Sequence, residues 1–514
     1  MLALSLPGTD PVLQQRIETR PKAVAEWLAG LPFATPLPVA QQLVMALYAL
    51  NRHALADDDR AELLALYRPA VARAAASLED MITDAGLPPP PLQRQAGAML
   101  RELRIEFGTG CRHVLQGLAT RRLVRAGAKR VAEAAARALV ASCDILYACA
   151  LTRTIPPAGL WREIHQIYAY AQACSAADLG VDDAPAPTTA YVYAVLFARA
   201  DPPHLSHAEL VHTRLYLDKY ARRAVLSAVS VRGHSGFAVP IHGDAAPSPA
   251  AGGTPQETLW LDTDVLCKHL EAIMLHLRTG DTPSRLRLPE GMQSETTELL
   301  AAHLRRQWCA GPQRAFRRHT PADKTVRAVS GLAAIHALLD AGRPPLVAGM
   351  PPEVPPRAAA VAPARWSVAN DSAAGLALTG SPDASASLRV GDPIALREDP
   401  DAAWSLGVIR WLRMRDPQQV EFGLERISPR IEAVWVRPLR GHASTAPQRS
   451  LFVPGVTSLK QADRLLLPRH LYQLGIEAEV THGGRTYLIA FGKRTDPAPG
   501  FDLIDFTIFE DNDA

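Results

Sequence analysis

The chain has 514 residues, which is too long for a single hydrophobic core and predicts two to four domains. Apolar residues make up 48% and charged residues 21%, a balance typical of globular proteins rather than disordered or fibrous ones. The formal net charge of +3 is too small to indicate general binding to nucleic acids or membranes. Any anion-binding site must therefore be built locally.

Cysteine usage and the N-terminal sequence predict a cytoplasmic protein. The six cysteines include no Cys-x-x-Cys pair and no metal-ligand spacing, so we expect free thiols that pack as small apolar groups in a reducing compartment. The first residues lack the basic flank and the long apolar run of a signal peptide. The apolar run at 138–151 is too short to span a bilayer and contains Asp144, so no membrane insertion is expected.

Residues 10 to about 310 have the apolar spacing of helices. Pro69 is expected to break or kink one of them, and Ser206 with Glu209 predicts a capping box at the start of another. Alanine-rich faces allow close helix contacts, which favours a bundle or an array of helical hairpins. The predicted helices cover residues 39–50, 60–85, 92–107, 114–151, 161–177, 189–198, 206–229, 262–277 and 295–309.

Two further features of the N-terminal half are a Gly- and Pro-rich stretch and a group of His and Tyr residues. The stretch at 233–257 is rich in Gly, Pro, Ser and Ala and is predicted to be a long loop or a domain boundary. An enzymatic pocket around His165, Tyr168 and His212 is conceivable, but most such side chains pack in cores or lie on surfaces. No nucleophile elbow, phosphate loop, zinc-protease helix or dinucleotide fingerprint occurs, so we expect no enzyme.

The pattern changes to short strands and turns from about Thr325. Residues 332–339 fit either a strand or a short helix. Alternating apolar residues at 420–424 are typical of a half-buried strand, and 433–437 is expected to continue the same sheet. Such short alternating strands suit a small antiparallel barrel. Further strands predict an extra β-module, at residues 451–453, 465–467, 476–480, 486–491 and 501–509.

The stretch from Trp366 to Leu378 predicts a strand, a tight polar turn and a second strand. Asn370 and Asp371 suit the turn because their short side chains bond nearby backbone and tolerate left-handed geometry. Gly375 fits a position that needs positive φ or a close approach by another group. These residues alone favour an ordinary hairpin.

The pattern Asn370-x-Ser372-x-x-Gly375 resembles the second signature of the PilZ domain, a family of bacterial cyclic-di-GMP receptors. The first signature of that family, Arg-x-x-x-Arg, is matched upstream by Arg314 and Arg318. Three later stretches resemble the remaining strands of the family in the correct order. They lie at residues 388–396, 406–411 and 420–424, so the resemblance covers about 312–440.

The resemblance implies a ligand site for cyclic-di-GMP and no catalytic residue, metal or other cofactor. An arginine bonds phosphate with its planar fork and stacks on a purine, so two arginines four apart can close on one ligand. An amide on the opposite side can bond a guanine edge and a hydroxyl can add a further bond. The implied ligand residues are Arg314, Arg317, Arg318, Asn370, Ser372 and Gly375.

The chain departs from the family in the spacing of the two signatures. Compact PilZ domains hold them a few tens of residues apart, whereas 51 residues lie between Arg318 and Asn370 here. The excess is a Pro- and Ala-rich segment at 343–365, predicted to be a loop inserted between barrel strands, since proline lacks an amide donor. This insertion keeps a second interpretation open, a scaffold protein whose PilZ-like barrel has lost nucleotide binding.

Together these patterns predict an α+β multidomain protein. The expected order is an all-α helical bundle or hairpin array at 1–310, a small antiparallel PilZ-like β-barrel at 311–440 and an extra β-module at 449–514. The predicted function is that of an effector or adaptor, which couples cyclic-di-GMP binding at the barrel to partner binding by the helical domain. By family analogy the partner belongs to a pilus or motility system, with no DNA or RNA involved.

Overall fold

Two compact units make up the chain in the computed structural model. One comprises Met1–Asp84 and Pro90–Gln313, and the other comprises Ala85–Pro89 and Arg314–Ala514. The residues that the structure describes are 2–14, 17–83, 86–120, 127–247, 258–289, 291–310, 319–320, 324–340, 362–381, 387–416, 419–439, 446–455, 461–482, 485–498 and 500–511.

The first unit is helical, with a small antiparallel sheet. Its strands run in the order β1-β3-β2, with β1 at Val225–Ser227, β2 at Gly236–Pro240 and β3 at Thr258–Asp262. The helices are α1 Pro11–Gln14, α2 Pro21–Ala29, α3 Pro36–Asn51, α4 Asp57–Ile82, α5 Pro91–Thr120, α6 Ala128–Leu151, α7 Leu160–Ala173, α8 Pro187–Arg199, α9 His207–Tyr220, α10 Asp264–Arg278 and α11 Ser294–Arg305.

Helices α4 and α5 contain proline and glycine residues at positions where the sequence predicts a break. Pro69 lies inside α4, which runs unbroken from Asp57 to Ile82. The predicted gap at 108–113 is wrong because α5 continues through Gly108 and Gly110. A Cβ at Gly108 would lie 3.1 Å from Ile145 Cδ1, and one at Gly110 would lie 2.8 Å from Leu64 Cδ2. These glycines allow neighbouring helices to approach closely. A prediction from local sequence treats a glycine as a helix breaker and therefore misplaces the end of the helix.

The predicted capping box is confirmed at the start of α9. Ser206 Oγ accepts a hydrogen bond from the Glu209 backbone amide at 3.3 Å, and the Glu209 carboxylate accepts one from the Ser206 amide at 2.7 Å. The predicted extension of this helix to residue 229 is wrong, since α9 ends at Tyr220 and β1 follows. The interpretation of 233–257 as a loop missed β2, which pairs with β3.

Helix α6 is the apolar centre of the helical unit. By length and composition it is the one helix in the described ranges that could cross a membrane, but 78% of its most apolar window is buried inside the protein. Alanines along it, such as Ala135 and Ala138, are fully buried. Their small side chains let α5, α7 and α8 pack closely around the helix.

Two of the cysteines do not match the predicted free thiols. Cys267 of α10 and Cys309, in the π-helical turn at Arg306–Ala310, form a disulfide. Their helical positions lie 42 residues apart, so sequence spacing gave no signal of the pairing. Cys111, Cys143, Cys149 and Cys174 are free, and the first three are buried as expected of small apolar residues.

The second unit contains a closed six-stranded antiparallel barrel, called here the first barrel. Its strands follow the order β4-β5-β6-β9-β8-β7. Trp366 and Phe422 meet edge to face in its core, with ring centroids 4.9 Å apart. Leu87 joins this core and exchanges two backbone hydrogen bonds with Leu388. The strands are β4 Thr325–Ser330, β5 Ala364–Ser372, β6 Gly375–Gly380, β7 Pro393–Arg397, β8 Ser405–Asp416 and β9 Gln419–Ser428.

The expected β-module is a second closed barrel, in the order β10-β11-β12-β15-β14-β13. Residues 433–437 were predicted to extend the first sheet, but they lie in β10 of this barrel, so that prediction is wrong. The strands are β10 Glu432–Pro438, β11 Gln448–Val453, β12 Arg464–Pro468, β13 Glu477–His482, β14 Arg485–Ala498 and β15 Phe501–Asp511.

A shared apolar core joins the two barrels. Helix α12, at Leu332–Leu339, contributes the fully buried Ile335 to this core. His336 is also buried, and its Nε2 lies 3.2 Å from the carbonyl oxygen of Val434 in β10. The ambiguous stretch at 332–339 is therefore a helix packed between the barrels.

The observed architecture confirms the predicted α+β fold class, with a helical first part and antiparallel β-barrels after it. The proposed insertion at 343–365 lies mostly outside the described residues, although Ala364 and Arg365 already belong to β5. Strands β4 and β5 flank this stretch in the sequence and pair directly with each other, from Thr325 with Ser367 to Ala328 with Ala364.

A buried ion pair between α5 and α7 gives a test of the helical unit. Arg112 pairs with Glu163, with side chains 10% and 8% exposed, and Arg112→Ala leaves the carboxylate buried without its cation. We expect a loss of about 3–5 kcal/mol in the free energy of unfolding, measured by urea denaturation. Arg305→Ala removes an exposed pair with Glu271 and should cost under about 1 kcal/mol. Equal losses in the two variants would contradict this assignment.

Candidate functional site

The β5–β6 hairpin carries the Asn-x-Ser-x-x-Gly pattern. The predicted turn at Asn370 and Asp371 is wrong, because both residues belong to β5 and the two-residue turn is Ala373-Ala374. Ser372 closes this turn: its Oγ accepts a hydrogen bond from the Gly375 amide at 3.2 Å and donates one to the Gly375 carbonyl oxygen at 3.0 Å. The serine thus has a structural role in the hairpin.

A bulge in β5 decides which way the polar side chains face. The register shifts between Val368, opposite Leu378, and Asn370, opposite Ala377. Leu378 lies in the barrel core, so the extra residue turns Asn370 to the outer face, where it would otherwise point inward. Ser372 follows two residues later on the same outer face. Within the described part of the chain, the Asn370 side chain has no hydrogen-bond partner.

Gly375 is needed for a reason other than the one predicted. Its φ is not positive, and a Cβ at this position would lie 2.1 Å from the carbonyl oxygen of Leu424 in β9. The close approach that excludes a side chain therefore comes from a neighbouring strand. A ligand contact at Gly375 is not required to explain the glycine.

Four charged side chains form a neutral network at the barrel end beside this hairpin. Lys324 Nζ lies 3.0 Å from Asp371 Oδ2 and 2.9 Å from Glu398 Oε2. Arg426 Nη2 lies 3.2 Å from Asp371 Oδ1 and 3.2 Å from Glu398 Oε1. Because two cations meet two carboxylates, the network leaves no net positive charge for an anionic ligand.

The network also sets the protonation of its carboxyl groups. Partial burial acts to raise the pKa of Asp371, but hydrogen bonds from Lys324 and Arg426 outweigh it and hold that pKa below its usual value. The same balance lowers the pKa of Glu398. The hydrogen bond to Glu398 raises the pKa of Lys324 in turn. Asp371, Glu398 and Lys324 are therefore charged at neutral pH.

A short backbone pairing connects the two sequence signatures. His319 and Asp371 exchange two backbone hydrogen bonds, each 2.8 Å long, from amide to carbonyl oxygen. His319 directly follows Arg318 in the sequence. The predicted ligand residues Arg314, Arg317 and Arg318 lie outside the described residues, whereas Asn370, Ser372 and Gly375 are described. The described residue His319 thus lies beside the strand of the second signature, although 51 residues separate it from Asp371 in the sequence.

Trp411 lies on the outer face of the first barrel. A row of paired residues crosses β5, β6, β9 and β8, and its members are Asn370, Ala377, Gly423 and Trp411. Trp411 is half-buried, and a Cβ at Gly423 would lie 1.9 Å from its Nε1, so the indole covers the glycine. Strand register, which a single sequence does not give, reveals this row. Trp366, in contrast, lies in the barrel core.

His165 and Tyr168, which were considered for an enzymatic pocket in the helical unit, pack against a third aromatic residue, Tyr191. His165 Nδ1 lies 2.8 Å from the Tyr191 hydroxyl, and Tyr191 stacks on Tyr168 with ring centroids 4.1 Å apart. Burial lowers the pKa of His165 to about 4, so the ring is neutral at pH 7. No cluster of three or more potential metal ligands occurs among the described residues.

Comparison with protein families explains the domain order. Residues 357–432 match the family described as the middle PilZ domain of the cyclic-di-GMP receptor FimW. The chain thus contains a PilZ domain. Residues 22–230 match the N-terminal domain of the same receptor, and residues 434–509 match its C-terminal β-barrel domain. This PilZ protein thus has the FimW order of helical domain, PilZ barrel and second barrel.

One curated relative spans nearly the whole chain. The cyclic-di-GMP receptor FimW of Pseudomonas aeruginosa is 24% identical, over 98% of this chain and 93% of its own length. No solved structure matches this PilZ protein significantly. The Arg314–Arg318 segment precedes the matched PilZ region, which starts at residue 357.

The approach of Leu424 to Gly375 predicts a steric effect. In Gly375→Ala the new methyl group meets the Leu424 carbonyl oxygen, so we expect a destabilisation of about 1–3 kcal/mol. Thermal unfolding of the full chain measures it, and Ala373→Ser in the exposed turn is the control, with a change within about 0.5 kcal/mol. A Gly375→Ala protein as stable as the parent would show that β9 does not impose the glycine.

The charged network predicts a pH-dependent contribution to stability. Both carboxyl groups have lowered pKa values in the folded state, so their contribution is present above their unfolded pKa values and is lost as the pH falls through the folded ones. Lys324→Met should therefore lower the melting temperature at pH 7 and have a smaller effect below about pH 4. Scanning calorimetry measures this effect.

Lys129→Met is the matched control, because the pair that Lys129 forms with Asp182 is exposed to solvent. It should cause no comparable pH-dependent change. An effect of Lys324→Met that is equal at pH 7 and pH 3 would mean that the ion pairs contribute nothing.

Proposed function

We propose that this PilZ protein is a cyclic-di-GMP effector that binds the nucleotide on the outer rim of the first barrel. The observation that carries the proposal is the pairing of His319 with Asp371, which links the chain after the arginine signature to the strand of the Asn-x-Ser signature. His319 directly follows Arg318 in the sequence, which supports the arginine signature as the second half of the site. The relative's description as a cyclic-di-GMP receptor supports the same ligand.

The charges of the rim favour the arginine segment as the part of the proposed site that contacts the phosphates. Lys324 and Arg426 are each paired with two carboxylates, so neither offers uncompensated charge. Arg314, Arg317 and Arg318 supply three guanidinium groups within five residues, and each can bond a phosphate oxygen pair or stack on a purine. The arginine segment is thus the electrostatic half of the proposed site.

The outer face of the barrel supplies the other half. Asn370 faces outward, and its amide has no hydrogen-bond partner among the described residues, so it can bond the edge of a guanine. Ala377 and Gly423 have small side chains, so they leave space above the sheet between Asn370 and Trp411. The indole of Trp411 lies at the end of the row opposite Asn370. A planar base can lie along this row. Ser372 contributes by holding the hairpin turn, and Gly375 by its fit against β9.

The proposed output is a change in partner binding by the helical domain. Arg314 directly follows Gln313, the last residue of the helical unit, so a nucleotide held by the arginines acts on the segment that joins the two units. The functional domains on this proposal are 1–310, 311–440 and 449–514. The protein acts in the cytoplasm, catalyses no reaction, needs no cofactor and binds no DNA or RNA. Its partner belongs to a pilus or motility system.

Isothermal titration calorimetry of the full chain with cyclic-di-GMP tests the site. Removing a charged phosphate contact costs about 2–5 kcal/mol, so Arg314→Ala and Arg318→Ala should each weaken binding at least roughly tenfold. Asn370→Ala should weaken it less, and ligand should quench the Trp411 fluorescence, as judged against Trp411→Phe. Arg437→Ala, which removes an arginine from the second barrel, is the control.

Two outcomes would contradict the proposal. If the parent chain gives no heat, the barrel has lost nucleotide binding, and the protein is the scaffold considered above. If affinity is unchanged in Arg314→Ala and Arg318→Ala, the nucleotide binds elsewhere.

A further inference from the structure

A long groove of about 730 Å³ lies in the helical unit. All of its lining residues precede the two barrels in the sequence. Its floor is α5, and its walls are α4 and α6, which pack on either side of α5. Helix α9 and the loop at 183–185 border it. The wall that α6 contributes, from Arg130 to Tyr147, is about 26 Å long at 1.5 Å per residue. The groove is therefore elongated along the helices.

The lining residues follow the spacing of helix packing interfaces. On α5 the lining positions are Arg104, Phe107, Cys111, Val114 and Leu118, which alternate steps of three and four. On α6 they include Arg130, Glu133, Arg137, Val140, Asp144 and Tyr147, with the same alternation. A stripe with this spacing is the surface that receives the side chains of a further helix, as in a four-helix bundle. Three helices of such a bundle are present, and the fourth position is the groove.

Ion pairs close both ends of the groove. At one end Arg130 of α6 pairs with Asp58 of α4. At the other end Arg104 Nη1 lies 2.9 Å from Asp144 Oδ2, and Arg214 of α9 contacts Asp144 and Glu79 at 3.3 and 3.4 Å. The charges at the two ends are thus largely compensated within the chain.

The middle of the groove carries two arginines that form no ion pair with a described residue. Arg68 on α4 and Arg137 on α6 line opposite walls, with the buried Cys111 between them on the floor. Neither guanidinium has a carboxylate within ion-pair distance in the described structure, and Arg137 bonds only the Asp182 carbonyl oxygen at 3.5 Å. Burial and the nearby Arg137 lower the pKa of Arg68, whereas Cys111 and Asp183, which also lines the groove, act to raise it. A carboxylate between the two arginines would supply the direct ion-pair contact that neither has within the described residues.

We propose that the groove binds an amphipathic α-helix of a protein partner, with an Asp or Glu at the centre of its apolar stripe. Such a helix of about 16 residues is about 24 Å long and fits the groove. Its apolar side chains pack on Phe107, Val114 and Val140, and its central carboxylate lies between Arg68 and Arg137. This inference rests on the proposed function in one respect, since it locates the partner surface of the effector.

The proline-rich sequence at 343–365 does not suit this position. Its seven prolines are incompatible with a regular amphipathic helix. A small soluble anion would contact only Arg68 and Arg137 and would leave the apolar side chains on either side of them exposed to water. The elongated apolar lining with a central positive layer therefore matches a helix with a central acidic residue.

Selection from a displayed library of random peptides of about 16 residues tests the proposal, with the full chain as bait and no nucleotide present. The Ala72→Trp variant serves for counter-selection, because Ala72 is an exposed wall residue and an indole there fills the groove. We expect enriched peptides to have apolar residues at alternating steps of three and four, with an acidic residue at the centre.

Fluorescence anisotropy of an enriched peptide then measures the contacts. Arg68→Glu and Arg137→Glu should each weaken binding roughly tenfold or more, and a peptide with Lys in place of the acidic residue should bind these variants better than the parent. Glu62→Trp on the exposed side of α4 and Lys22→Glu on α2 are matched controls, with affinities within about twofold of the parent.

Three results would overturn the proposal. The first is enrichment of no peptide that distinguishes the parent from Ala72→Trp. The second is binding that is indifferent to the charge at positions 68 and 137. The third is a dimer of the parent chain in sedimentation velocity that Ala72→Trp dissociates, which would assign the groove to a second copy. Because nucleotide is absent throughout, each result is independent of the calorimetry with cyclic-di-GMP.

Discussion

The closure of the first barrel by β4 is the constraint on which the candidate site depends. This strand pairs with β5 on one side and with β7 on the other, although a long proline-rich stretch separates it from β5 in the sequence. Without it the sheet would be open, and the chain before it would have no fixed relation to the hairpin. With it, Lys324 enters the charged network and His319 pairs with Asp371. Barrel closure therefore converts a large sequence separation into a local arrangement.

Much of the barrel fold could be predicted because strand patterns are local. Alternating apolar residues marked nearly every strand, and the Asn-x-Ser-x-x-Gly pattern marked the hairpin. The bulge before Asn370 could not be predicted, since it depends on how β5 aligns with β6 rather than on the residues of β5 alone. The same holds for the row that ends at Trp411 and for the assignment of β10 to the second barrel. Which strands pair, and in which register, depends on tertiary structure, and a single sequence contains little information about it.

In the helical unit the errors have a different physical origin. Gly108, Gly110 and Pro69 have low helix propensity, and each lies inside a long helix. Propensity costs about 1 kcal/mol for a glycine and about 3 kcal/mol for a proline, which the packing of a long amphipathic helix can offset. The Ser206 capping box was predictable because both of its hydrogen bonds lie within four residues. Local rules thus succeed where the stabilising contacts are local, and fail where distant helices supply them.

The charge arrangement separates fold-stabilising cations from those available to a ligand. Lys324, Arg426 and Arg104 each form ion pairs with carboxylates of the chain, so their positive charge is neutralised within the fold. On the proposed function, nucleotide affinity then resides in the arginines that directly follow the helical unit. On the same proposal, the residues that bind the nucleotide directly follow the helical unit in the sequence, so a substitution there changes binding and coupling together. Arg68 and Arg137, by contrast, lie within one unit, and on the proposed partner site a substitution there alters the affinity for the partner while the nucleotide site is left intact.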